Sequence, residues 1–163
     1  MVLQVSEQQR ARERRRSKME PDKKTNEEKT KKKYLARAQG HALPISKKHG
    51  MYLCTYIKNK SLDNVIHELE DVTLLKRAIP FKGEIPHRKG MMSGRYPVKA
   101  AKYMINLIKA LKGNALTNGL DIKRTRISHA SSHWASRPLR SEGRRAKRTN
   151  IMLIAREISP EGT

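Results

Sequence analysis

The chain has 163 residues, 37 Lys or Arg against 15 Asp or Glu, a formal net charge of +22 and only 4% aromatic residues. That length fits one domain with at most a tail. The charge repels itself in the compact state and draws polyanions, so nucleic acid or an anionic membrane surface is the natural counter-charge. No apolar run approaches the ~20 residues that span a bilayer. The start, MVLQVSEQQRARERRRSK, lacks a signal-peptide core because its apolar residues stop at Val5. A soluble, cytoplasmic protein with no membrane partner is therefore expected. The single cysteine, Cys54, excludes an intrachain disulfide and lies within an apolar helical pattern, which points to a buried structural thiol rather than a reactive one.

Residues 1–33 form a segment of their own, with twelve Lys or Arg against six acids and almost nothing apolar after Val5. Arg14, Arg15 and Arg16 lie near its middle and Lys31, Lys32 and Lys33 close it. It cannot bury enough surface to offset its ordering entropy, so it is expected to be a basic N-terminal extension, disordered when free. It serves either as a solubilising tail or as a polyanion-binding one. Residues 34–163 read as the globular domain.

Within that domain YLARAQGHAL (34–43) alternates loosely and suggests a short strand. Pro44 and Ser46 introduce a helix to about Lys58, with Ser46 as N-cap and Leu53 and Ile57 facing inward. Ser61 is a second N-cap candidate. After it Leu62, Val65, Ile66, Leu69, Val72 and Leu75 recur at three- and four-residue steps, the mark of an amphipathic helix. Residues 79–96 hold two Pro and three Gly and have no sustained period, which predicts a long loop of the kind that often carries function. Pro97, at the first helical position, opens the clearest helix, 97–117. Its apolar stripe runs through Val98, Ala101, Met104, Ile105, Ile108, Leu111 and Ala115. Lys99, Lys102 and Lys109 share the other side, a basic face more often solvated than ligand-bound. Asn118-Gly119 ends it.

Two strand-like segments follow, about 122–136 and 145–158, joined by a turn around Pro138–Gly143. Thr125, Ile127 and His129 alternate with Arg124, Arg126 and Ser128. The fold class is therefore α+β: a small three-stranded antiparallel sheet packed by three helices, with a long protruding β-hairpin at about 122–158 and a basic N-terminal tail.

A strand of ~13–15 residues reaches ~45 Å, more than a domain of this size needs, and the far half of this hairpin has no apolar face. Arg137, Arg140, Arg144, Arg145, Lys147 and Arg148 gather there with only Glu142 opposing them. Such an arm suits an extended polyanion: the arginine fork matches phosphate and stacks on bases, and Trp134 beside His133 offers a stacking platform. The competing reading is a mobile basic loop with Trp134 folded back on the core. Further cations stand at Lys47 and Lys48, in the loop at His87, Arg88, Lys89 and Arg95, and at Arg124 and Arg126. Charge on several sides implies burial in a large nucleic-acid body. No helix-turn-helix, zipper or zinc-finger spacing is present.

Enzyme chemistry is poorly supported. His129 and His133 share a strand face, but no third ligand of suitable type lies nearby, so neither a metal site nor any other cofactor is expected. The acids sit at solvated helical spacings, and no Walker loop occurs. A free RNA-binding or chromatin-like module explains the charge as well as a component of a larger particle does.

ISKKHGMYLCTYIKNKSLDNVIHELEDV (45–72), PF (80–81), GRYPVKAAKYMINLIKALKGNALTNGLD (94–121) and GRRA (143–146) together resemble the universal large-subunit ribosomal protein number twenty-two family, in its archaeal and eukaryotic branch. GRYP followed by KAA, then N-A-x-x-x-G-L-D, is the most specific element, and the resemblance covers about residues 35–158. It implies a non-enzymatic structural constituent of the large ribosomal subunit that binds large-subunit rRNA and neighbouring ribosomal proteins without forming a homo-oligomer. Its arm would line the nascent-peptide exit tunnel, and its body would sit near the tunnel exit. Arg137, Pro138, Leu139, Arg140, Ser141, Glu142 and Gly143 would then be the tunnel-facing tip, in contact with the nascent polypeptide.

Overall fold

The structure, a computed structural model, describes residues 35–82 and 88–158, all within residues 34–163, the second of the two units into which the chain divides. The elements run β1 (Leu35–Leu43), α1 (Lys47–Ile57), α2 (Leu62–Thr73), β2 (Ile79–Pro80), β3 (Gly94–Arg95), α3 (Val98–Thr117), β4 (Thr125–Trp134), β5 (Leu139–Ser141), β6 (Arg144–Arg145) and β7 (Thr149–Glu157). The expected α+β architecture is present, with three helices among the described residues and a three-stranded sheet in the order β1-β7-β4. Both pairings are antiparallel.

The sheet buries one face. Along β7, Thr149, Ile151, Leu153 and Ala155 are buried while Asn150, Met152 and Ile154 are only partly covered, the two-residue alternation of a half-buried strand. Ala36 and Ala38 of β1 and Ile127 and Ala130 of β4 complete the inner face. The small side chains on the outer strands leave room for the helices, α3 packing on β1 and α1 on β4. Gly50 makes the second of these contacts possible, since a Cβ there would lie 2.6 Å from Ser132 Oγ.

The periodic apolar stripes fold as their spacing predicts except at the end of α2, which stops at Thr73: Ile66 is only partly buried, and Leu75, past the helix with a left-handed φ of 61°, is exposed. Leu62, Val65, Leu69 and Val72 of α2 are fully buried, as are Ala101, Met104, Ile108 and Leu111 of α3, and the two helices pack together. Each such large side chain contributes roughly 1.5–3 kcal/mol on burial. Cys54 is buried among them, and loss of solvation pushes its thiol up to about 12 against a small opposing effect of Lys58. It is a packing residue with no thiolate at neutral pH.

The N-A-x-x-x-G-L-D stretch gains a physical explanation. Gly119 takes a left-handed φ of 74°, its N–H donating to Leu116 O, while Leu120 N–H reaches back to Ala115 O. That pair of bonds is the Schellman ending of a helix. Asn114, one turn earlier, and Asn118, the C-cap residue, donate their side-chain amides to the carbonyls of Arg37 and Leu35, each at 2.8 Å. Those carbonyls belong to β1, whose other edge pairs with no strand among the described residues, so the two asparagines blunt an edge open to unwanted pairing.

Several expectations are corrected. Ser46 and Ser61 stand at the N-cap positions, but neither side chain caps its helix. Pro97 is itself the N-cap residue, so α3 begins at Val98. The long loop carries a two-residue ribbon, Ile79 pairing Arg95 and Pro80 pairing Gly94, which brings fully buried Phe81 under α1. There it stacks on Tyr52 at 4.3 Å and meets His49 edge-on at 5.6 Å. Phe81 N–H donates to Ser93 O, and Ser93 Oγ returns a bond to Phe81 O. His129 does not join Thr125 and Ile127 on the inner face: a bulge between Ile127 and His129 shifts the register, leaving Ala130 buried and His129 exposed. One extra residue reverses every later side chain, which no alternation rule foresees.

Among the described residues, no helix is long and apolar enough to cross a membrane.

Two outcomes are expected. Phe81→Ala should destabilise the domain by about 3–5 kcal/mol, read as a lower denaturant midpoint at unchanged m-value. The second concerns Glu68, which accepts from Lys60 Nζ at 2.6 Å and pairs with Arg77 at 3.0 Å. Its partial burial works against the charge, but hydrogen bonds from Lys60 and Tyr56 and the charges of Lys60 and Arg77 outweigh it, so its carboxyl lies below the usual range. A depressed folded pKa gives stability that is complete above the unfolded value of ~4.3 and lost as pH falls through the folded one. Glu68→Gln should cost about 1 kcal/mol at neutral pH and flatten the acid limb of a stability–pH curve.

Candidate nucleic-acid interface

The arm grows from the base of the sheet. Trp134 pairs with Thr149 at the last rung of β4 and β7. Thr149, fully buried, donates its hydroxyl to Ile45 O at 3.0 Å, which pins the base of the arm against the entry to α1. Beyond that rung the pairing thins. Ala135 N–H donates to Arg148 O at 3.3 Å and Ala146 N–H to Pro138 O at 2.9 Å. The ladder then resumes as β5 and β6, where Leu139 faces Arg145 and Ser141 faces Arg144. The tip is the two-residue turn Glu142-Gly143, both with positive φ (49° and 70°), as a type I′ hairpin requires.

The arm is therefore not the pair of continuous strands expected over 122–136 and 145–158. The ordered strands are shorter, Thr125–Trp134 and Thr149–Glu157, and a small second ribbon sits at the end. The reason lies in the sequence: Pro138 supplies no N–H to a ladder, and Leu139 is the one large apolar side chain between residues 135 and 148, too little to hold a long strand pair together.

At the joint the cations meet the only tryptophan. Arg137 Cζ lies 3.8 Å from the centroid of the Trp134 ring, and Lys47 Nζ, at the start of α1, lies 5.1 Å from it. The indole is 58% exposed yet ties the arm to the body through two cation–π contacts, each worth about 0.5–1 kcal/mol at an exposed site. Trp134 is thus neither folded into the core nor a bare stacking surface. Farther out the charge has little internal compensation. Glu142 approaches Arg144 at 3.9 Å, both over 80% or at 80% exposure, so that pair contributes little.

The cations fall into groups. Arg137, Arg140, Arg144, Arg145 and Lys147 are exposed on the arm, and Arg148 is half-buried at its root. With them the fold brings together Lys47 and, unforeseen, Lys99 at the start of α3, which faces the arm across a shared cleft. A second group lies on the uncovered face of the sheet: Arg126 opposite Arg156, and His133, opposite Asn150, with Arg37 on the next strand. Arg124 sits just outside β4, beside Asp121 at 3.7 Å. Arg88 and Arg95 are elsewhere, next to the aromatic rings of Tyr96 (5.4 Å) and Phe81 (6.0 Å). Lys48 and Lys89 are exposed at the start of α1 and in the loop. Arg14, Arg15, Arg16, Lys31, Lys32, Lys33 and His87 lie outside the described residues. Among the described residues no cluster of three His, Cys, Asp or Glu could hold a metal ion.

The fold and arm define the class: a small basic α+β domain that carries a cationic two-stranded arm. No family model matches the chain. It is 35% identical over 140 residues to the large ribosomal subunit protein uL22 of Methanoculleus marisnigri, covering 77% of this chain and 91% of that one. It is 33% identical over 138 residues to the uL22 of Methanothrix thermoacetophila, covering 76% and 91%. With the uL22 of Archaeoglobus fulgidus the identity is 42% over 103 residues, covering 60% of this chain and 66% of that relative. The chain belongs to the uL22 family.

The Trp134 contacts give a direct readout, since the chain has one tryptophan. Removing the closer cation in Arg137→Ala should raise quenching of its fluorescence by acrylamide, a neutral quencher, and Lys47→Ala should raise it less. Equal quenching in wild type and Arg137→Ala would show that Arg137 does not cover the ring in solution.

Proposed function

We propose that this chain is a structural, non-enzymatic constituent of the large ribosomal subunit, in the cytoplasm, that binds large-subunit rRNA. In this reading its arm lies along the nascent-peptide exit tunnel and its body sits near the tunnel exit. The observation that carries the proposal is the arm itself: six cations between Arg137 and Arg148, with Glu142 the one acid among them, on a ribbon too polar to fold on its own. Membership in the uL22 family supports it, since the relatives are large-subunit proteins by name.

The physical logic is counter-charge. Arginine-rich segments gain from phosphate both by bidentate hydrogen bonding and by release of condensed counterions. The cations on the sheet face, at Arg88 and Arg95 and on the arm stand on separate elements, as suits a protein embedded in folded RNA rather than one docked on a single helix. Neighbouring large-subunit proteins would meet the remaining surface, and the tip, Arg137–Gly143, would face the nascent polypeptide.

Replacing Arg137, Arg140, Arg144 and Arg145 together by Ala should weaken association with large-subunit rRNA and reduce its log–log salt slope by about 3, at ~0.7–0.9 per lost phosphate contact. An unchanged slope across a salt titration would remove the arm from the interface. Sucrose-gradient sedimentation tests the assignment itself: the protein should travel with the large subunit, and its absence from that fraction would favour a free RNA-binding module.

A further inference from the structure

The distal arm leans over the body. Pro138–Arg140 and Arg144–Arg148 face Pro44–Ser46, His49, Lys99 and Ala100 across a cleft of about 760 Å³. Six cations line it, Lys99, Arg140, Arg144, Arg145, Lys147 and Arg148, and no Asp or Glu does. The helices entering the cleft supply no counter-charge either, since the first turns of α1 and α3 contain no acid. Cations drawn from three separate elements, offset only by the exposed approach of Glu142 to Arg144 at 3.9 Å, repel one another unless an anion enters. Between them lie apolar surfaces, Pro44 on the body and Pro138 and Leu139 on the arm, with Leu139 73% exposed.

We propose that this cleft grips one single-stranded stretch of RNA between arm and body, a few nucleotides long. The inference rests on the rRNA-binding reading above and adds to it where the strand sits and what form it takes. The volume is that of a site for a small ligand, in the ~300–1,000 Å³ range; a duplex is far too wide to enter. Arg140, Arg144 and Arg145 from the arm and Lys99 from the body hold phosphates from opposite sides. Pro138 and Leu139 cover base or ribose faces, the combination of cationic groove and apolar contact that single strands use. Four of the six cations are arginines, whose planar fork favours phosphate over the carboxylates of an acidic peptide only through its additional stacking on bases, so an acidic peptide is the competitor to exclude. The proposal gives a role to Lys99, whose place on a basic helix face otherwise reads as solvation.

The full-length protein and a labelled oligouridylate of about ten nucleotides make the test. Lys99→Ala should weaken binding roughly threefold to tenfold and lower the salt slope by about 0.7. Lys99→Arg should restore both. Lys109→Ala, at another exposed lysine farther along α3 that does not line the cleft, should change neither, which controls for net charge. Lys99 is exposed, so folding is not at stake. Equal effects of Lys99→Ala and Lys109→Ala would overturn the proposal. So would displacement of the oligouridylate by an RNA duplex, or by oligoglutamate, as readily as by unlabelled strand. Loss of rRNA association in the four-arginine variant, with oligouridylate binding intact in Lys99→Ala, would overturn the cleft alone and leave the broader function standing.

Discussion

The domain depends on β7, the strand bonded along both edges. Its neighbours come from opposite ends of the described chain, β1 from the start and β4 from near the end. Until β7 is in register, neither the inner face that receives the helices nor the base of the arm exists. The alternation of Thr149, Ile151, Leu153 and Ala155 fixes that register, because a slip of one residue would turn all four toward solvent. Thr149 then joins fold to arm, buried at the last rung and bonded to the carbonyl of Ile45. The apolar core ends there and the cationic ribbon begins.

Charge organises what the core does not. Acids compensate the cations where α1, α2 and α3 meet, as with Glu68 between Lys60 and Arg77, and Asp63 beside Lys112 at 2.6 Å. On the arm that compensation stops, and the ribbon is joined to the body mainly through Thr149 and the ring of Trp134. A surface built in this way is stable only weakly by itself and gains most when a polyanion supplies the missing charge. The difference between the two regions is one of composition: apolar stripes fold the body, and the arm lacks them.

The elements legible in the sequence are those written by period. The stripes of α2 and α3 each match the helical repeat, and up to the end of α2 at Thr73 they fold as their spacing says; the alternation in β7 is one of burial, which its run of apolar residues does not display. The features that were not legible depend on single residues whose effect is geometric. The bulge at Ser128 costs no change in composition yet turns His129 outward. Phe81 reads as one aromatic in a Pro- and Gly-rich loop, and only the β2–β3 ribbon shows that it is a core residue. Asn114 and Asn118 look like polar helix residues until the uncovered edge of β1 is seen beside them. At the candidate interface, the arm's cations were legible because charge density survives any conformation. Lys99 was not, because its partners lie about forty residues away in sequence and meet it only through the path of the arm.

By itself, then, the sequence determined the charge imbalance, the three helices, the α+β class and the existence of a cationic arm near residues 134–148. These follow from composition and local period, which act over a few residues and need no knowledge of what lies across the core. The tertiary structure decided the order β1-β7-β4, the outward turn of His129, the clasp of Arg137 and Lys47 on Trp134, and the cleft that sets Lys99 opposite the arm. Each of these is a contact between distant segments, and its geometry is fixed by how packed elements close on one another rather than by any one segment's preference.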